Sequence, residues 1–189
     1  MKVYFGTSPR IKERFPEVVD KIFDQLQKLG CRLTSKWVKE VNTVDFYNLS
    51  LKELDEHQNK TMKAIREADI CVFEVSIHSL SVGYLTNYAL ENGKVVIVLS
   101  QSQEPWNLFK SIKSDKLLTV EYKESNLKEK LEDVLKKAQE KSDVRFNFFV
   151  SPKILNYLDW VAQKRMVPRS VFLRDLIEKE MRKDKEFRQ

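Results

Sequence analysis

Ile70-Cys71-Val72-Phe73-Glu74-Val75 reads as a β-strand, and the elements on either side of it decide the fold. Outward from it, the pattern predicts strands over residues 2–5, 32–35 and 95–99, with helices over 13–29, near 51–67 and over 83–91. Strands alternating with helices imply a parallel sheet covered on both faces, an α/β fold. The helix over 13–29 carries the clearest pattern. Phe15, Val18, Val19, Ile22, Phe23, Leu26 and Leu29 fall on one face, and Gly30 closes it. A weaker strand at 118–122 and a charged helix at 126–141 complete a first domain over residues 1–141.

The chain has 189 residues, room for one medium domain and a small one. Charged residues make up 33% and hydrophobic ones 42%, the balance of a soluble globular chain. The net charge of +6 is mild, but its distribution is uneven. From Ser142 onward there are 11 Lys and Arg against 7 Asp and Glu, which favours a polyanionic partner for the tail. Cys31 and Cys71 are too few and too far apart for a zinc site or a disulfide framework, and they read as buried thiols. No metal or cofactor is expected. The chain enters its first strand with no charged-then-apolar leader, and no apolar run approaches membrane length. The expectation is a cytoplasmic protein with no membrane partner.

A polar linker at 139–143 leads into a second domain over residues 142–189. Its first segment alternates, so that Phe146, Phe148 and Val150 share one face while Arg145, Asn147 and Phe149 project from the other. After Ser151-Pro152, two apolar stripes follow. Ile154, Leu155, Leu158, Val161 and Ala162 form one; Phe172, Leu173, Leu176, Ile177 and Met181 form the other, beyond a turn at 163–167. A lone strand and two short helices cannot satisfy the strand's backbone or bury a core, so a second copy is required. A homodimer or higher even oligomer is expected. Residues 144–183 resemble the ribbon-helix-helix family of DNA-binding proteins, in which two strands pair across a dimer and enter the major groove. The resemblance makes Arg145, Asn147 and Phe149 the groove-facing set. Arg suits guanine, Asn suits adenine, and Phe149 either meets thymine methyls or buries against something else. It places Arg169 and Ser170, near the start of the second helix, against phosphate. Met166 departs from the family, which commonly has glycine in the turn. The alternative is an oligomerisation arm that does not touch DNA.

Ligands of open α/β sheets bind beyond the carboxyl ends of the strands, here residues 6–10 and 76–83. Lys2-Val3-Tyr4-Phe5-Gly6-Thr7-Ser8, Ala68-Asp69 with the central strand, and Ser79-Leu80-Ser81-Val82-Gly83-Tyr84-Leu85-Thr86-Asn87-Tyr88-Ala89 together resemble the nucleoside 2′-deoxyribosyltransferase superfamily, and within it the 2′-deoxynucleoside 5′-phosphate N-hydrolases. The resemblance covers about the first 120 residues. It implies a flavodoxin- or Rossmann-like sheet, a dimer, and a deoxynucleoside or its monophosphate cleaved at the N-glycosidic bond by an attacking glutamate. That chemistry needs a carboxylate to stabilise and trap a cation-like sugar carbon, and a second acid to help the base depart. The nucleophile's place in the family's motif holds Leu85 here, and the place of the other catalytic carboxylate falls near Thr61.

The binding elements are kept. Gly6, Thr7, Ser8, Arg10, Ser79, Ser81 and Gly83 are the expected ligand set for a nucleotide or nucleoside-like molecule, in a small, amide-rich loop geometry that suits phosphate. Glu74 and Asp69 are the candidates for a relocated acid or base, against the plainer reading that strand-end carboxylates cap or pair. His57 is isolated in sequence, and His78 lies beside the loop. Trp37, Trp106 and Trp160 read as packing residues. These features predict a DNA-binding transcription regulator with a catalytically degenerate nucleotide-binding sensor domain. The alternatives are an N-glycosidic hydrolase or deoxyribosyltransferase using a displaced carboxylate, and a dimeric scaffold or antitoxin-like protein.

Overall fold

The computed structural model describes residues 1–102, 109, 111–142, 148–184 and 186. It divides into two units, Met1–Val144 and Arg145–Gln189. The first unit holds a five-stranded sheet of β1 (Lys2–Thr7), β2 (Arg32–Leu33), β3 (Ile70–Glu74), β4 (Val95–Ser100) and β5 (Leu117–Glu121), in the order β2-β1-β3-β4-β5. Every pairing is parallel. This is the flavodoxin-like order, in which the chain winds outward to β2 and then crosses back to β3. The reversal leaves a crevice between the carboxyl ends of β1 and β3, where Thr7 pairs with Glu74.

Helices cover both faces, so β3 and β4 are buried along their whole length and read as continuous apolar runs. On one face Val3, Phe5, Ile70, Val72, Ile97 and Leu99 pack with Ile22 and Leu26 of α2 (Pro16–Lys28) and with Leu131 and Leu135 of α7 (Leu127–Lys141). On the other, Tyr4, Cys71, Phe73, Val96 and Val98 pack with Ile65 of α5 (Leu51–Glu67) and Val82 and Ala89 of α6 (Leu80–Glu91).

The helix expected over 13–29 is two helices. Pro16 has no N–H to donate, so the chain breaks at Phe15 (φ −137°, ψ 56°); α1 (Pro9–Arg14) ends there, and Pro16 opens α2. Two further short helices, α3 (Trp37–Glu40) and α4 (Thr43–Tyr47), precede α5 and are too brief to show a periodic stripe. The Asn42 side chain caps α4 by accepting from the amides of Val44 and Asp45. α6 begins at Leu80 rather than Gly83 because Ser79 caps it, accepting from the Val82 amide at 3.4 Å.

The second unit contains α8 (Pro152–Arg165) and α9 (Arg169–Met181). Among the described residues its buried apolar side chains are Leu158, Val161 and Phe172, with Val167 and Leu173 packed against them. Ile154, Leu155, Tyr157, Trp160, Leu176 and Ile177 stay exposed. The expected strand over 144–150 is not seen where it is described: Phe148, Phe149 and Val150 carry no strand, and residues 144–147 lie outside the described residues. A single copy offers such a strand no neighbour to pair with. Among the described residues no helix is long and apolar enough to cross a membrane.

Met166 closes α8 at φ 53°, in the left-handed region that glycine tolerates and a side chain does not. Gly30 holds φ 77° with nothing within 4 Å of where a Cβ would stand, so a substitution there meets backbone strain alone. The two positions predict opposite effects. Met166→Gly should raise stability and Gly30→Ala should lower it, each by about 1 kcal/mol in urea denaturation followed by circular dichroism. Equal midpoints for Met166→Gly and the parent chain would show that the left-handed turn carries no net strain.

Candidate functional site

The crevice is closed at its base by side chains of β1. The Thr7 hydroxyl donates to the Glu74 carbonyl at 3.0 Å, in a buried bond that ties the ends of β1 and β3. Thr7 is therefore committed to the backbone rather than offered to a ligand. Gly6 also serves the scaffold: a Cβ there would stand 2.8 Å from Cε1 and 3.0 Å from Oη of Tyr4. Tyr4 is buried, which pushes its phenol pKa up. Ser8 is buried and caps α1, accepting from the Ile11 amide at 3.4 Å, yet it still reaches the crevice wall.

A cavity of about 310 Å³ brings together Ser8, Arg10, Ser79 and Ser81 of the expected ligand set, with His78 and Phe46 beside them. A neighbouring cavity of about 240 Å³ shares Phe46 and Ser81 and is walled by Leu54, His57, Gln58, Thr61, Tyr84 and Leu85. Gly83 lines a third cavity with Val75, His78 and Ser79. Gly6 and Thr7 line none of the three.

Thr61 and Leu85, 24 residues apart in sequence, thus meet in one cleft. Among the described residues no Asp or Glu lines that cleft or the cavity beside it. His57, isolated in sequence, lies in the same wall, its ring centroid 4.7 Å from that of Trp37 and 5.5 Å from that of Phe46. Its Nε2 lies 3.5 Å from the Thr61 hydroxyl. Burial, with the Lys60 charge nearby, lowers its pKa and favours a neutral imidazole. Phe46 escaped the sequence reading because α4 is too short to show periodicity, and His57 was seen only as isolated. Asn42 followed by Thr43 was the available clue, a cap before a helix.

The two candidate carboxylates are elsewhere. Glu74 is 1% exposed, and its side chain joins the sheet face opposite Thr61 and Leu85. Its carboxylate accepts from the Ser76 amide at 3.2 and 3.3 Å, from the Ser76 hydroxyl, and from the Tyr122 hydroxyl at 3.1 Å. The Ser76 hydroxyl in turn accepts from the Gln101 amide at 2.8 Å. Asp69 precedes β3, at the amino ends of the strands, where its carboxylate accepts from the Lys2 amide at 2.7 Å. The expectation that it borders the crevice is corrected: β3 runs its full length between Asp69 and the carboxyl ends.

Among the described residues no three His, Cys, Asp or Glu side chains group as metal ligands. Cys31 and Cys71 are free and buried, and burial pushes the Cys71 thiol up to about 12. In the second unit Phe149 is fully exposed, and Ser170 is exposed in the first turn of α9. Arg169 pairs with Asp159 across the two helices. Arg145 and Asn147 lie outside the described residues, as does Trp106.

No protein-family model matches the chain, and no curated protein matches it. Among solved structures, a CMP N-glycosidase from Clostridium botulinum is similar at 15% sequence identity and a TM-score of 0.47, over 72% of this chain and 99% of that one.

Glu74 has a measurable consequence for stability. Desolvation raises its pKa above the ordinary 4.5, while the hydrogen bonds from Ser76 and Tyr122 pull the other way without cancelling the rise. The folded chain then holds this proton more tightly than the unfolded one. Its contribution is fully present below the ordinary value and is lost as pH rises through the raised one. The urea midpoint should fall over that window, and Glu74→Gln should flatten the fall. An unchanged slope in the variant would assign the dependence to another group.

Proposed function

We propose that this chain is a dimeric DNA-binding regulator whose α/β domain holds a small nucleotide-like anion without cleaving it. The observation that carries the anion-binding half is the cation at the β1–β3 crevice. Arg10 lines the cavity with Ser8, Ser79 and Ser81, and among the described residues it makes no ion pair and faces no carboxylate in the wall. A free guanidinium with nearby hydroxyls suits phosphate or carboxylate. Glycosidic cleavage needs a carboxylate at the sugar carbon. The adjoining cleft has Thr61 and Leu85 there, and neither holds a negative charge. Glu74 is turned away and already bonded to Ser76 and Tyr122.

What supports the DNA-binding half is the apolar surface of the second unit. The three apolar side chains buried among its described residues make too small a core, and exposed Ile154, Leu155, Leu176 and Ile177 suit a second copy of the same helices. In such a dimer the two 144–150 segments pair and present Arg145, Asn147 and Phe149 to the major groove, with Ser170 toward phosphate. Arg169 joins Ser170 once it leaves Asp159. Binding at the crevice alters DNA affinity only if the ligand favours one dimer state over another.

A gel-shift assay with fragments of genomic DNA tests the output. Retardation by the intact protein is expected at low salt, weakening as salt rises. Arg145→Ala should weaken specific binding by about 1–3 kcal/mol, and Asn147→Ala similarly, while Lys28→Ala should not. No retardation at any salt removes the DNA-binding half. Incubation with deoxynucleoside monophosphates should release no free base by chromatography; release would favour an enzyme using a displaced carboxylate.

A further inference from the structure

The two adjoining cavities differ in chemistry. Arg10 and the hydroxyls of Ser79 and Ser81 give the first a cationic, hydrogen-bonding wall. The second sets the apolar and aromatic side chains of Phe46, Leu54, Tyr84 and Leu85 beside the polar His57, Gln58, Thr61 and Ser81. The Thr61 hydroxyl is already 3.5 Å from His57 Nε2. A sugar seated against Phe46, Leu54 and Leu85 leaves the hydroxyls on that side without partners, and each unpaired hydroxyl weakens binding. A flat apolar ring loses nothing there, and it gains edge or face contacts with Phe46 and Tyr84. The cleft and the cationic cavity share Phe46 and Ser81, so one small molecule can occupy both.

Resting on the reading above that the crevice binds an anion, we propose that the Phe46–Tyr84–Leu85 cleft takes the planar aromatic ring of that ligand, with its anionic group on Arg10. The ring, and not a sugar, is then the part beside Thr61 and Leu85. A nucleobase or a simple aryl group both supply this chemistry, and the two are separated by experiment.

Calorimetric titration of the full chain with phenyl phosphate, ribose 5-phosphate, inorganic phosphate and deoxycytidine monophosphate tests it. Phenyl phosphate should bind at least about ten-fold tighter than ribose 5-phosphate or inorganic phosphate, the scale expected of one well-packed ring. Tyr84→Ser should erase that preference; Tyr84 is 50% exposed, so the variant is expected to fold, and Leu85→Asn is a second variant for the same purpose. Arg10→Ala should weaken every phosphate alike. Deoxycytidine monophosphate binding as tightly as phenyl phosphate, and losing that affinity in Tyr84→Ser, supports the proposal with a base as the ring. Phenyl phosphate alone binding supports it with a non-nucleotide ligand. Ribose 5-phosphate matching or exceeding phenyl phosphate overturns the ring's placement and leaves the anion crevice standing. No binding by any of the four overturns both.

Discussion

The hydrogen bond from the Thr7 hydroxyl to the Glu74 carbonyl joins β1 to β3 at the point where the sheet reverses its winding, and the crevice depends on that junction. Beyond Thr7 the chain turns into α1, carrying Ser8 and Arg10. Beyond Glu74 it turns through Ser76 toward α6, carrying His78, Ser79 and Ser81. A parallel sheet sends both exits to the same end. Residues 7 and 74 are thus neighbours by register, and everything that follows them on either strand is brought to one opening.

The same junction decides where negative charge sits. Glu74 alternates with Phe73 and Val75 and points to the face of Ile70 and Val72, so its carboxylate is buried beside Tyr122. There it links three strand ends, through Ser76 to Gln101 and through Tyr122 to the end of β5. Turned the other way, it would confront Arg10 and the serines with a competing anion. With Leu85 and Thr61 in the neighbouring cleft, the opening has a cation and hydroxyls but, among the described residues, no acid in its walls. The proposed reading, an anion held rather than a glycosidic bond broken, rests on that wall.

Much of this was legible in the sequence, because long buried strands and long amphipathic helices carry strong periodic patterns. The parallel α/β sheet and the positions of Ser8, Arg10, Ser79 and Ser81 at its carboxyl end follow from that alternation. Smaller features were not legible. Pro16 splits a stripe that continues unbroken in hydrophobicity on both sides, so periodicity alone reads one helix where there are two. Phe46 sits on a five-residue helix, and His57 gains its meaning only from Trp37 and Phe46, which are distant in sequence. Asp69 and Glu74 looked equivalent as strand-end carboxylates, but one strand has two ends, and the parallel sheet puts a ligand at only one of them.

In the second unit a different constraint governs. Its two helices bury Leu158, Val161 and Phe172, far less than the conformational entropy of ordering them requires, so most of its stability in the proposed dimer must come from association. Association stabilises by mass action, which makes the folding of this unit depend on the concentration of the chain. The strained turn at Met166 and the pairing of Arg169 with Asp159 then act on one equilibrium: the first weakens the isolated helix pair, and the second holds it together while occupying a cation suited to phosphate. A phosphate competing for Arg169 would exchange an exposed intramolecular ion pair, worth little in water, for a contact made only in the complex.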